Sequence, residues 1–117
     1  METKEAVKAL SALAQDTRLA AFRLLVETGP GGMAAGAIAE QLSLPPATAS
    51  FHLAQLASAG LIRSRTEGRF VIYAADFARM QTLIGFLTDN CCEGRACEVS
   101  PLAPIALTPP SRPKLPI

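Results

Sequence analysis

The sequence has no tryptophan, one tyrosine and one histidine among its 117 residues. With so few large aromatic side chains, its core must be rich in leucine, isoleucine and alanine, and we expect a mainly helical protein. No apolar run approaches the roughly 20 residues that span a bilayer. The mixed-charge start of the chain does not match a signal peptide. We therefore expect a cytoplasmic protein without a membrane partner.

The chain also lacks an excess of charge of either sign, since its formal net charge is only +1. Domains that bind nucleic acid are often strongly basic, so the total gives little support to that function. The distribution gives more, because residues 61–73 carry Arg63, Arg65 and Arg69 against a single acid, Glu67. This local basic patch lies where a β-hairpin is predicted.

Glycine and proline divide the chain into short segments in which apolar residues recur at helical spacing. Four helices are predicted before residue 61: residues 4–14, a second that Asp16 caps, residues 34–42, and a fourth that opens at Pro46 or Ala47 and stops at Gly60. Residues 61–66 and 69–73 flank Glu67-Gly68 and predict a hairpin. Helical spacing returns over residues 76–90. Six prolines after residue 97 predict an irregular or disordered tail over 98–117.

A helix, a short turn, a second helix and a hairpin are the order of a winged helix-turn-helix, here over residues 33–73. The second helix fits the major groove of DNA, and its exposed face should be short and polar. Leu53 and Leu56, with Phe51 or His52, are expected to face the core. The predicted DNA contacts are Thr48, Ser50, His52 and Gln55 on this helix, and Arg65 and Arg69 beside the hairpin tip.

Several motifs then resemble the ArsR/SmtB family of metalloid- and metal-responsive repressors: DTRL from residue 16, IAEQL from residue 38, ATASFHLAQL from residue 47, AGLI from residue 59 and EGR from residue 67. The resemblance covers roughly residues 4–97. It implies a homodimeric winged-helix repressor that binds a palindromic operator and releases it when an inducer binds. It also implies a dimer interface of the first and last helices, which carry apolar stripes: Val7, Leu10 and Leu13, and Phe77, Met80, Ile84 and Leu87.

The chain has three cysteines, Cys91, Cys92 and Cys97, and all lie within seven residues. An odd, clustered set without a targeting segment argues against a disulfide framework. Thiolates are soft ligands, and arsenite and antimonite bond to three sulfurs in a pyramid. Structural zinc prefers four ligands, and the one histidine, His52, lies on the predicted DNA-reading helix. The cluster therefore favours a site for trivalent arsenic or antimony.

Other readings of the thiol cluster remain open. Asp89, Glu93 or Glu98 could complete a site for zinc, cadmium or lead, although less well. The thiols could instead oxidise in a redox-sensing regulator. An enzyme is disfavoured, because the cluster has no Cys-x-x-Cys motif and no nearby base to activate a thiol. The expected organisation is a repressor domain over 1–97, with the thiol site at its end, followed by the proline-rich tail.

Overall fold

The structure is a computed structural model that describes residues 1–90 of the chain. Within these 90 residues, five helices and three strands follow one another: α1 (Thr3–Leu13), α2 (Asp16–Thr28), β1 (Met33–Ala34), α3 (Ala35–Gln41), α4 (Pro46–Ser58), β2 (Ile62–Glu67), β3 (Phe70–Ala75) and α5 (Phe77–Leu87). Residues Met1–Ile84 form one compact unit. The predicted class, mainly helical with a hairpin in a winged helix-turn-helix, is confirmed.

The first helix packs on the rest of the unit through alanine. Ala6, Ala9 and Ala12 are buried, and Ala9 is completely so. These small side chains let α1 lie close to α2 and α4, both of which it contacts. The apolar stripe predicted on this helix faces elsewhere, because Val7 and Leu10 are exposed.

The second helix begins where it was predicted, but another residue caps it. The Gln15 side-chain oxygen accepts a hydrogen bond of 2.9 Å from the backbone N–H of Arg18, while Asp16 is the first helical residue. A side-chain acceptor at this point satisfies one of the N–H groups left unpaired at a helix start. Asp16 keeps an electrostatic role, since a carboxylate in the first turn is favoured by the helix dipole.

Helices α3 and α4 end in the same kind of hydrogen-bonded turn. At the end of α4, Gly60 N–H donates to Ala57 O (2.9 Å) and Leu61 N–H to Leu56 O (3.1 Å). This pair of bonds is the Schellman motif, which needs a left-handed residue after the helix, and Gly60 has φ +81°. The stop predicted at Gly60 is confirmed, and the turn directs the chain into β2.

The sheet contains one strand that the sequence analysis missed. β1 pairs with β3, so the three antiparallel strands run in the order β1-β3-β2. Gly32 precedes β1 with φ +78°, and a Cβ there would lie 2.5 Å from Tyr73 O. Only glycine therefore lets the loop approach β3 this closely. β1 joins the middle of β3 to the start of α3.

The last helix is capped by Asp76, whose carboxylate accepts a 2.9 Å hydrogen bond from Arg79 N–H. α5 lies entirely within residues 1–90, and Leu83 is its one buried residue. Leu83 therefore anchors the helix to the core, and it is not a member of the predicted stripe. The described helix ends at Leu87, three residues earlier than predicted.

Candidate nucleic-acid interface

One face of α4 holds the helix to the core and leaves the opposite face in solvent. Ala49, Leu53 and Leu56 are buried, with Leu53 and Leu56 almost completely so. The inward role predicted for the two leucines is confirmed. The polar residues predicted to contact DNA that are exposed on this helix are Thr48, Ser50 and Gln55.

His52 is only half-exposed, because it lies against α2. Its Nδ1 is 3.4 Å from Nη1 of Arg18, whose Nε donates a 2.7 Å hydrogen bond to Ala12 O. A guanidinium has no acceptor, so Nδ1 is the acceptor of this hydrogen bond. The structure thus gives His52 a position between the core and the exposed face of α4, with one ring nitrogen already engaged.

Phe51 is the residue of α4 that the sequence analysis placed least well. It was grouped with His52 as a candidate for the core, but it is 58% exposed. At 100° per residue it lies on the side of the helix away from Leu53 and Leu56. The signal was available, since Ala49, Leu53 and Leu56 already complete an inward face at spacings of four and three.

The hairpin of β2 and β3 extends beyond the core as a wing. Every residue of β2 after Ile62 is exposed, so neither face of the strand is covered. Arg65 is held along the wing, because Nε is 2.7 Å from the Glu67 carboxylate and Nη2 is 2.9 Å from Gly31 O. Arg63 and Arg69 are exposed and take no part in the ion pairs of the described residues.

The residues predicted for the dimer interface are available to a partner to different degrees. Val7 (55%), Leu10 (41%) and Leu87 (56%) are exposed, and none of the seven is buried. The half-buried members are Leu13, Phe77, Met80 and Ile84. Glu5 and Arg79 form a 3.8 Å ion pair that joins the two helices carrying these stripes.

The three cysteines predicted to bind the inducer lie outside the described residues, as does the proline-rich tail. Within residues 1–90, no three side chains of histidine, cysteine, aspartate or glutamate come together in a group that could hold a metal ion. The assignment of Cys91, Cys92 and Cys97 to an inducer site stays a prediction.

Known proteins resemble the chain in both fold and sequence. A family described as a helix-turn-helix domain matches residues 13–65. The homodimeric winged helix-turn-helix DNA-binding domain of a possible ArsR-family regulator from Mycobacterium bovis is 30% identical over 82% of this chain and 89% of that chain, with a TM-score of 0.59. The chain belongs to the ArsR family of transcriptional regulators.

Other solved ArsR-type proteins resemble the chain as well. An ArsR-like transcriptional regulator from Rhodococcus sp. RHA1 is 25% identical over 78% of this chain and 83% of that chain, with a TM-score of 0.68. A possible transcriptional regulator for arsenical resistance is 27% identical over 69% of this chain and 84% of its own, with a TM-score of 0.57. No curated protein matches the sequence.

Membership in the ArsR family makes the protein a DNA-binding transcriptional regulator and not an enzyme, as the sequence predicted. The helix-turn-helix is formed by α3 and α4, and the wing by β2 and β3. Among the described residues no helix has the length and apolar character needed to cross a membrane. The individual DNA contacts named above stay predictions.

Proposed function

We propose that this ArsR-family protein is a homodimeric repressor that leaves its operator when trivalent arsenic, or antimony, binds Cys91, Cys92 and Cys97. The observation that carries the proposal is the pairing of a DNA-reading unit with a separate set of three thiols in seven residues. Three soft sulfur donors fit the bonding of these two elements. Likeness to a possible regulator of arsenical resistance supports the same ligand class.

Dimerisation through α1 and α5 is supported by what those helices leave exposed. Val7 and Leu10 lie on α1 with about half of their surfaces in water, while alanines occupy the face toward the core. Burial of such side chains against a second copy stabilises a dimer by about 25 cal/mol per Å² of apolar surface. The related domain from Mycobacterium bovis is itself homodimeric.

Contacts made by the first turn of α5 connect that helix to the end of α4. Asp76 N–H donates a 2.9 Å hydrogen bond to Leu61 O, where α4 turns into β2. Arg79 lies against the same junction, because a Cβ added to Gly60 would be 3.1 Å from Arg79 Nε. A displacement of α5 would therefore act on the end of α4 and on the base of the wing together.

The release step follows from this connection. When the three sulfurs after α5 bind one ion, α5 shifts at the dimer seam. The two copies of α4 would then leave the separation of about 34 Å that successive major grooves of a palindrome require. A coupling free energy of about 1–3 kcal/mol between the two sites is enough for a useful switch.

The test is a fluorescence-anisotropy titration of the protein on a labelled duplex selected from random DNA. Arsenite or antimonite should release the wild-type protein, and Cys97→Ser should bind the same duplex but resist release. Release of Cys97→Ser at the wild-type arsenite concentration would contradict the three-thiolate site. Release by zinc or cadmium but not by arsenite would indicate a divalent-metal sensor. Release by peroxide alone would indicate a redox sensor.

A further inference from the structure

Phe51 is a large apolar side chain that the folded chain leaves in water. It is 58% exposed on α4, whereas Leu53 and Leu56 on the same helix are at most 1% exposed. The core is complete without it, and the dimer proposed above uses α1 and α5. Among residues 1–90, its ring therefore has no stabilising partner apart from its neighbour His52.

Two smaller apolar residues extend the surface that Phe51 presents. Ala47 and Ala54 are both exposed. They are four residues before and three residues after Phe51, so all three lie on one face of the helix. The centre of the face that an ArsR-family protein offers to DNA is thus apolar, and Thr48, Ser50 and Gln55 border it.

We infer that Phe51 is a specificity-determining residue that reads the C5-methyl group of a thymine in the major groove. The inference rests on DNA binding through α4. The edges of the four base pairs in the major groove carry donors and acceptors, and thymine adds the methyl group. A phenyl ring has no polar atom, so it offers no hydrogen bond to the donors and acceptors of the bases. It discriminates among bases because burial of the methyl group against the ring stabilises the complex.

The ring is also held in position before DNA binds. Phe51 and His52 make an edge-on contact, with ring centroids 5.4 Å apart and planes at 68°. His52 is itself hydrogen-bonded to Arg18, and Arg18 to Ala12 O. An aromatic side chain has only two rotatable bonds, and a fixed neighbour reduces the entropy lost when it is ordered on DNA. The contact with His52 thus limits the orientations that the Phe51 ring can take.

The experiment replaces thymine by deoxyuridine, which differs only in the absence of the C5-methyl group. Each thymine of the selected duplex is exchanged in turn, symmetrically in both half-sites, and the affinity is measured by fluorescence anisotropy. For the wild-type protein, the exchange at one thymine position should lower the affinity by about fourfold per half-site, the value expected for the loss of one methyl group. Phe51→Ala should bind the thymine and deoxyuridine duplexes equally.

Two further variants make the result specific to this ring. Phe51→Leu keeps an apolar side chain and should retain part of the preference for thymine. Phe70→Ala removes a similarly exposed ring, at 62%, from the wing, and its thymine preference should equal that of the wild type. Because Phe51 is exposed, the thermal unfolding of Phe51→Ala should match that of the wild type.

The inference is overturned if Phe51→Ala keeps the wild-type preference, or if no thymine position affects binding of the wild type. Failure of the DNA-binding proposal is a distinct outcome, because the wild-type protein would then select no duplex of either kind. That result would overturn both proposals.

Discussion

Arg18 on α2 connects the end of α1 to α4, the helix predicted to read DNA. Its Nε donates to Ala12 O at 2.7 Å, and its Nη1 lies 3.4 Å from Nδ1 of His52 on α4. One partly buried guanidinium therefore fixes three helices relative to one another. Arginine suits this task because its planar fork offers several donors in fixed directions, which a lysine ammonium does not.

Replacement of Arg18 by alanine should lower the free energy of unfolding by about 1–3 kcal/mol, the effect of losing a charged hydrogen bond and leaving a carbonyl unpaired. Urea unfolding followed by circular dichroism measures it. Arg23→Ala is the matched control on the same helix, because the 4.0 Å ion pair of Arg23 with Glu27 is exposed, and such pairs contribute under about 1 kcal/mol. Equal losses in the two variants would argue against this connecting role.

Of the two wing arginines predicted to contact DNA, Arg69 takes no part in the ion pairs of the described residues, whereas Arg65 is engaged with Glu67 and Gly31. Each phosphate contact adds about 0.9 to the slope of log affinity against log salt. Arg69→Ala should therefore reduce that slope by about 2 for a dimer, in anisotropy titrations between low and moderate salt. Arg23→Ala, on α2, should leave the slope unchanged. An unchanged slope in Arg69→Ala would show that Arg69 does not contact a phosphate.

Ser43, in the turn between α3 and α4, has the left-handed backbone that glycine adopts most easily. Its φ is +56°, and the hydrogen bonds from Ser43 and Leu44 to Glu40 and Ala39 close a second Schellman turn. Ser43→Gly should raise the free energy of unfolding by about 0.5–1 kcal/mol in urea titrations. Ser58→Gly should lower it by a similar amount, because Ser58 is helical. A loss of stability in Ser43→Gly would show that the serine side chain stabilises the turn.

The bounds of most helices and strands were predictable, because the residues that begin and end them act locally in the sequence. Gly60 marks the end of α4 and Pro46 its start, and the β-branched and aromatic residues around Glu67-Gly68 mark the hairpin. β1 was missed because two residues are too few to show a periodicity. It exists only through its pairing with β3, which local sequence does not encode.

The candidate site was less predictable, because it depends on which side of each helix the core occupies. Leu53 and Leu56 were correctly placed inside, but the choice between Phe51 and His52 needed the position of α2. The contact between Arg18 and His52 joins residues 34 positions apart, and no local pattern signals it. The apolar stripe of Val7, Leu10 and Leu13 was predicted from its spacing. That the alanines of α1 form the face packed on the core was not predicted.

Glu5 should give the protein a measurable acid dependence. A hydrogen bond from Glu2 N–H, and to a lesser extent the charges of Arg79 and the N-terminus, lower the pKa of Glu5 from 4.5, against the opposing effect of desolvation. A depressed folded-state pKa stabilises the fold above the unfolded value, and this contribution is lost as pH falls through the folded value.

Glu5→Gln should therefore be less stable than the wild type at neutral pH, and the difference should disappear as pH falls below 4.5. Urea unfolding over a pH series measures it. Glu27→Gln removes the same charge from an exposed pair on α2 and serves as the control. A difference between wild type and Glu5→Gln that does not vary with pH would show that the ionised carboxylate is not the stabilising species.

Leu10 tests the proposed dimer, because it is 41% exposed on the apolar stripe of α1. Leu10→Glu should weaken the dimer at least about 100-fold, since each copy loses the burial of the exposed part of a leucine, about 1 kcal/mol, and gains a carboxylate in an apolar interface, which costs more. Sedimentation equilibrium measures the dissociation constant. Leu19→Glu places the same charge at a leucine of similar exposure, 44%, on α2, and should remain dimeric. If Leu10→Glu stays dimeric while Leu19→Glu dissociates, the interface lies on α2 instead, and the release step that requires α5 at the seam loses its basis.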